Sequence, residues 1–261
     1  QAAVQALCPG SDIAALLDKP NNNLAVEYCK AIIEQNVEMQ PIALPRQGAD
    51  HGQALTESAH AAFASASALR ALWAEGGAAA LAPYVPEKAL KLYIMTEYDG
   101  KYTDFAVMGH CELALLRAAC TEQAPFAAVR GVSEGLEHRL ENAMRETASL
   151  PALLDALTTV RYPRARMRRL AMDAALDYSA DAFPALPPYL HLLGAQKDAL
   201  PLLKAAALPV SHSLARLAEQ NVPCRAVVDA QLRACDFGAL CRKKPEPMGG
   251  ALRQKIIFLT K

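Results

Sequence analysis

The sequence predicts a chain of the α/β plus mainly α class. The tail of an α/β unit covers residues 1–80, and a mainly helical region with a small α/β element covers residues 81–261. Three observations lead there. About one residue in five is Ala, the strongest helix former. The first third of the chain reads helix, short apolar strand, loop and helix, an order that belongs to an α/β unit. From Pro86 onward, Leu, Ala and Met recur at three- and four-residue spacing in one stretch after another.

The elements follow in order. Asn21 to Asn23 form a polar cap cluster, and Leu24, Tyr28 and Ile32 then recur at helical spacing, predicting a helix to about Gln35. Met39 to Leu44 is short and apolar with Pro45 after it, which reads as a strand ending in a loop, Arg46 to Glu57. Ser65 to Glu75 reads as a helix closed by Gly76 and Gly77. Helices are then predicted over Glu87–Tyr98, Asp104–Cys120, Ser133–Thr147, Pro151–Thr159 and Arg164–Tyr178. Glu134 and Glu137 give the third of these the acidic first turn that suits a helix start. Pro184 to Pro188 is a break. Beyond it, Tyr189–Leu193 and Leu208–Val210 read as short strands flanking a helix over Gln196–Ala206. A helix over Arg225–Cys241 and a last strand over Lys255–Leu259 complete the chain, and no repeat of fixed period is visible.

Composition narrows the function. The 261 residues carry 27 Lys+Arg against 27 Asp+Glu and are 52% hydrophobic. That excludes intrinsic disorder, and it excludes a wholly basic nucleic-acid binder while leaving a local basic patch open. Gln1 to Gly10 has neither a basic nor a long apolar region, and charges or prolines interrupt every apolar stretch, so neither a secretory signal nor a membrane partner is expected. Cysteines stand at 8, 29, 111, 120, 224, 235 and 241, with no CxxC or CxxH spacing. They read as free thiols in a reducing cytosol, with a cytoplasmic location and no metal site expected.

Four stretches carry chemistry. Lys19-Pro20-Asn21-Asn22-Asn23 places amides at a helix start, where they read a base edge or hold a phosphate, or else simply cap the helix. Pro45-Arg46-Gln47-Gly48-Ala49-Asp50-His51 follows the predicted strand, where ligands bind in open α/β sheets. There Arg46 suits a phosphate or carboxylate, the alternative being a solvated surface arginine. Phe63-Ala64-Ser65-Ala66-Ser67-Ala68-Leu69-Arg70 puts two hydroxyls and an Arg at a helix opening, as an anion site or as a plain Ser cap.

The fourth, Arg161-Tyr162-Pro163-Arg164-Ala165-Arg166-Met167-Arg168-Arg169, crowds five Arg at a helix N-terminus, where the dipole disfavours them. Phosphate-backbone binding with Tyr162 as a stacking surface explains it, and internal ion pairs are the alternative. The motifs GxxxxGKS/T, HExxH, GxSxG and HxGH are absent, and the six His are scattered. No catalytic residue is therefore assigned.

Together these stretches resemble the later half of the nucleotidyltransferase domain of the bacterial tRNA(Met) cytidine acetate ligase family. The matching residues are Pro20-Asn21-Asn22, Arg46-Gln47-Gly48-Ala49 and Ala64-Ser65-Ala66-Ser67-Ala68-Leu69-Arg70. The last is similar to the phosphate motif of HIGH-type nucleotidyltransferases in general. The resemblance continues through Tyr84-Val85-Pro86, Gly135 to Leu140, the Arg161–Arg169 block, Pro187-Pro188-Tyr189-Leu190 with Gly194, and Leu208-Pro209-Val210.

The resemblance implies a Rossmann-like nucleotidyltransferase part over residues 1–80 and a tRNA-binding helical part over 81–261. It implies an ATP site on Asn21, Asn22, Arg46, Gln47, Ser65, Ser67 and Arg70, with Mg2+ accompanying the ATP. It implies tRNA contacts on Arg161, Tyr162, Arg164, Arg166, Arg168 and Arg169. The family activates acetate as acetyl-adenylate and acetylates the wobble cytidine of elongator tRNA(Met).

Two departures stand out. Asp50-His51 occupies a place where the family more often has an aromatic before the His, which leaves the role of His51 open. The family also opens with a strand and an HxGH motif, and no such part precedes Pro20 here. The chain is accordingly expected to be the later part of a larger enzyme and inactive alone. A small-molecule nucleotidyltransferase, which does not need the arginine block, and a non-catalytic helical RNA-binding adaptor are the rival readings.

Overall fold

The computed structural model describes residue 17, residues 20–44 and residues 64–259, and the chain divides into two units, Gln1–Ala71 and Leu72–Lys261.

In the first unit, α1 spans Pro20–Glu34. Proline suits a first helical position, because its missing N–H has no intrahelical partner there in any case. Asn21 to Asn23 consequently lie in the first turn, inside the helix, and are not its cap as expected. The expected strand Met39–Leu44 carries no strand pairing. A strand exists only through a hydrogen-bonded neighbour, and none lies beside it among the described residues. Its Met39, Ile42 and Leu44 side chains are exposed. The expected loop, with Arg46, Gln47 and His51, lies outside the described residues. Helix α2 spans Ala66–Gly76 across the division, starting one residue later than expected.

In the second unit, Gly77 adopts φ 72° and turns the chain from α2 into a 3-10 turn at Ala78–Leu81. Helix α3 follows at Glu87–Asp99. Its Glu97 carboxylate accepts the Trp73 Nε1–H at 3.0 Å and the Ala78 N–H at 2.8 Å. A Cβ at position 77 would meet that carboxylate at 3.2 Å, so both the φ and the space favour glycine.

The main core is built by α4 (Phe105–Ala119), α5 (Leu136–Glu146), α6 (Leu150–Leu157) and α7 (Arg164–Ala175). The apolar stripes close on Leu116, Leu140, Leu153, Leu157 and Met167, all 0% exposed, with Phe126 plugging the cluster from the α4–α5 connection. Each such side chain contributes about 1.5–3 kcal/mol by leaving water. Asp104 and Ser149 cap α4 and α6 through their side chains. Helix α5 begins at Leu136, three residues after the expected Ser133, because Glu134 and Gly135 both adopt positive φ. Helix α7 stops at Ala175, short of the expected Tyr178, and Asp177 follows with φ 54°.

The C-terminal α/β element holds two parallel strand pairs. Strands β1 (Leu190–His191) and β3 (Val210–Ser211) pair with Leu190 opposite Val210. Strands β2 (Gly194–Gln196) and β4 (Ile257–Leu259) pair with Gly194 opposite Ile257. A Cβ at 194 would lie 3.0 Å from the Ile257 carbonyl oxygen, so the close approach of the two strands favours glycine. The expected helix Gln196–Ala206 is a 3-10 segment, Lys197–Ala205, with Pro201 inside. Proline lacks the amide an α-helix needs there.

Helices α8 (Leu214–Ala218) and α9 (Val222–Leu240) pack a second core around Tyr189, Leu214, Leu217, Cys224 and Val228. Asn221 caps α9 and starts it three residues before the expected Arg225. Among the described residues, no helix is long and apolar enough to cross a membrane, and the six described cysteines are free.

Candidate functional site

Helix α7 opens on the arginine block, and its surroundings sort the five arginines. Pro163 fixes the start of α7, so residues 164–169 wind as its first turn and a half. Leu170, Met167, Ala171 and Ala174 take the buried face. Arg161 pairs with Glu134, and the Tyr162 hydroxyl donates to the same carboxylate at 3.1 Å. Arg164 pairs with Asp155 of α6. Arg166 donates to the Ser133 hydroxyl at 3.1 Å and lies 5.0 Å from the Tyr162 ring centroid. Arg169 is exposed and makes no ion pair among the described residues.

Arg168 differs. Its Nη1 donates to both oxygens of Glu112 on α4 at 2.6 Å, and Glu112 is 0% exposed. Burial pushes the Glu112 carboxyl above its ordinary value, while Arg168 pulls it back.

The energetics separate these pairs. The Arg161–Glu134 and Arg164–Asp155 pairs are mostly solvent-exposed, and such pairs hold by only about 0–1 kcal/mol. Releasing Arg168 would strand a buried carboxylate, at a cost of about 3–5 kcal/mol. The internal ion pairs that the sequence allowed are present at 161, 164 and 168, the last of them buried on its acid side, while Arg169 is exposed without one among the described residues. Sequence reasoning missed Glu112, and it placed Glu134 in a helical first turn, whereas Glu134 lies before α5 and pairs with Arg161. A signal for Glu112 existed, since it is a lone acid on the same apolar face of α4 as Leu113 and Leu116.

Of the residues expected to meet a nucleotide, Asn21 and Asn22 stand in the first turn of α1. Ser65, 2% exposed, accepts the Ala68 N–H on its Oγ at 3.2 Å and so caps α2. Arg70 reaches the Ser67 hydroxyl at 3.5 Å from one turn inward. The structure therefore brings Ser65, Ser67 and Arg70 together on the opening of one helix. Burial and the neighbouring Cys111 push the Cys241 thiol up to about 11, which leaves it protonated at neutral pH and unsuited to nucleophilic work. Among the described residues, no three His, Cys, Asp or Glu side chains form a group that could hold a metal ion.

The family model described as HIGH Nucleotidyl Transferase matches residues 1–249. The chain is 28% identical over 233 residues to the tRNA(Met) cytidine acetate ligase of Listeria monocytogenes serovar 1/2a, covering 87% of this chain and 56% of that protein. It is 29% identical over 194 residues to the tRNA(Met) cytidine acetate ligase of Fervidobacterium nodosum, covering 72% of this chain and 44% of that one. The chain spans about half the length of the curated relatives it matches.

Among solved structures, the fold is similar to Thermotoga maritima TmcAL in its apo form I, with TM-score 0.78, 21% identity, and coverage of 94% of this chain and 62% of that one. It is also similar to the form II structure of the same protein bound with alpha-thio ATP, with TM-score 0.75, 22% identity, and coverage of 94% and 61%. These likenesses show a nucleotidyltransferase-like fold.

Proposed function

This chain belongs to the HIGH nucleotidyltransferase family, and from that premise we propose that it is part of an ATP-dependent ligase that acetylates the wobble cytidine of elongator tRNA(Met). The observation that carries this reading is the alignment over 87% of the chain with a tRNA(Met) cytidine acetate ligase. The reaction joins acetate to ATP, releasing pyrophosphate and forming acetyl-adenylate. The cytidine N4 amine then attacks the acetyl carbonyl, and AMP leaves. This chemistry is mostly positioning and charge neutralisation.

Residues 1–80 are the nucleotide-handling part in this account, and residues 81–261 hold the tRNA. Asn21 and Asn22 read the nucleotide, with Arg46 and Gln47 beside it. Ser67 and Arg70 meet the phosphates at the opening of α2, where free amides and the helix dipole favour an anion. Ser65 supports them by capping that turn. No protein ligands are assigned to the Mg2+ that accompanies ATP. Arg161, Arg164, Arg166 and Arg169 take tRNA phosphates with Tyr162 among them, and Arg168 holds α7 in place from below. A cytoplasmic location fits a tRNA substrate.

The chain by itself is inactive in this account, because it carries no HxGH motif. The test is AMP release that depends on both acetate and tRNA. Multiple-turnover release of pyrophosphate that requires neither acetate nor tRNA would favour a small-molecule nucleotidyltransferase instead.

A further inference from the structure

We propose a second phosphate-binding site, for a nucleotide unit, in the C-terminal α/β element. A cavity of about 400 Å3 opens there, and Lys204, Ser211, His212 and Arg216 line it. No acidic side chain lines it. Lys204 and Arg216 are exposed and have no ion-pair partner among the described residues. In a chain whose charges balance, two fixed cations left unneutralised around one cavity are an attraction for an anion.

The remaining walls are aliphatic, from Leu192, Leu203, Leu208 and Val210. A free inorganic anion leaves those walls wet. A phosphate attached to a nucleoside covers them while its charge meets the cations, and that is why the occupant is a nucleotide unit.

The site is held from beneath. Ser211 ends β3, so the cavity lies at the carboxyl end of a parallel strand pair, the usual ligand side of α/β elements. The hydroxyl of the buried Tyr189 donates to Gln231 at 2.9 Å, Gln231 contacts His191 Nδ1 at 3.5 Å, and His191 Nε2 contacts the His212 carbonyl at 3.3 Å. With Nε2 protonated and Nδ1 accepting, this is one continuous chain of donors from the second core to the cavity edge. The Ser213 N–H donates to Ser211 Oγ at 3.0 Å and fixes the following turn. The site is built from segments separate from the arginine block, and it does not rest on the ligase reading.

The test follows the amide and imidazole NMR resonances of Ser211 and His212 in the full chain. Three probes are titrated separately: AMP, a short single-stranded RNA, and inorganic phosphate. AMP or the RNA is expected to move those resonances saturably. Binding of both identifies a site for any nucleotide phosphate, and binding of the RNA alone identifies a site for the backbone diester. The K204A/R216A variant is expected to bind roughly tenfold or more weakly with an unchanged thermal midpoint, since both side chains are exposed. K204M/R216M, which keeps the aliphatic stems, should lose binding equally. The proposal is overturned if neither AMP nor the RNA moves those resonances, if inorganic phosphate binds as tightly as AMP, or if the variants bind as tightly as the wild type.

Discussion

Arg168 and Glu112 join α7 to α4 through a carboxylate that is fully buried and a guanidinium that contacts both of its oxygens at 2.6 Å. Removing either partner has unequal consequences. Arg168→Ala strands a buried charge and is expected to cost about 3–5 kcal/mol. Glu112→Gln leaves an arginine that is 31% exposed and keeps contact with water, so its expected cost is about 1–2 kcal/mol. Chemical denaturation of the two variants measures the difference, and equal costs would contradict the buried-pair account.

The same pair predicts a pH dependence. Burial raises the Glu112 carboxyl above its ordinary 4.5, and Arg168 lowers it, so Arg168→Ala raises it further. An acid whose folded value is raised favours the native state while protonated, and that contribution is lost as pH climbs from 4.5 through the folded value. The stability gap between Arg168→Ala and the wild type should accordingly be small below pH 4.5 and widen towards neutrality. Thermal midpoints measured across that range check the sign.

A third prediction divides the arginine block. Replacing Arg161, Arg164, Arg166 and Arg169 together by Ala is expected to weaken tRNA binding by at least about tenfold. The salt slope should become shallower by roughly 0.7–0.9 for each phosphate that an arginine no longer neutralises. Stability should change little, because the ion pairs given up are exposed. Filter binding at several salt concentrations, with ATP binding measured in parallel, reads this out. Loss of ATP binding in the same variant would count against separate nucleotide and tRNA sites.

The serines of α2 are expected to part in a similar way. Ser65→Ala removes the hydroxyl that accepts the Ala68 N–H, and should destabilise by about 1 kcal/mol. Ser67→Ala should leave stability unchanged and weaken nucleotide binding. A denaturation curve and a nucleotide titration on each variant decide it.

Glu97 supplies a check on the second unit. Its carboxylate satisfies both Trp73 and the first amide of the 3-10 turn. Glu97→Ala should cost about 1–3 kcal/mol, because it leaves both donors unpaired. It should also shift the fluorescence of the chain's single Trp.

Much of this architecture could be read in advance where local chemistry decides it. The three- and four-residue spacing of Leu, Ala and Met placed the helices of the main core within a few residues, and the structure adds the caps Asp104 and Ser149. What eluded the sequence depends on partners distant in the chain. Gly194 to Gln196 becomes a strand only because Ile257 to Leu259 lies beside it, and Met39 to Leu44 shows the converse, an apolar segment without a described partner. Arg168 could not be told from Arg169 by position in the block, since only the fold brings Glu112 beneath one of them. Lys204, His212 and Arg216 come from a 3-10 segment, the turn after β3 and helix α8, and form no motif.

The most direct test joins this chain to the portion of the Listeria relative that it does not cover and measures AMP release with ATP, acetate and tRNA(Met), together with N4-acetylcytidine by mass spectrometry. The account predicts AMP release that requires both acetate and tRNA, acetylation of the wobble cytidine, and no turnover by the chain alone. A joined protein that binds ATP and tRNA yet releases no acetate-dependent AMP, or robust turnover by the chain alone, would contradict it.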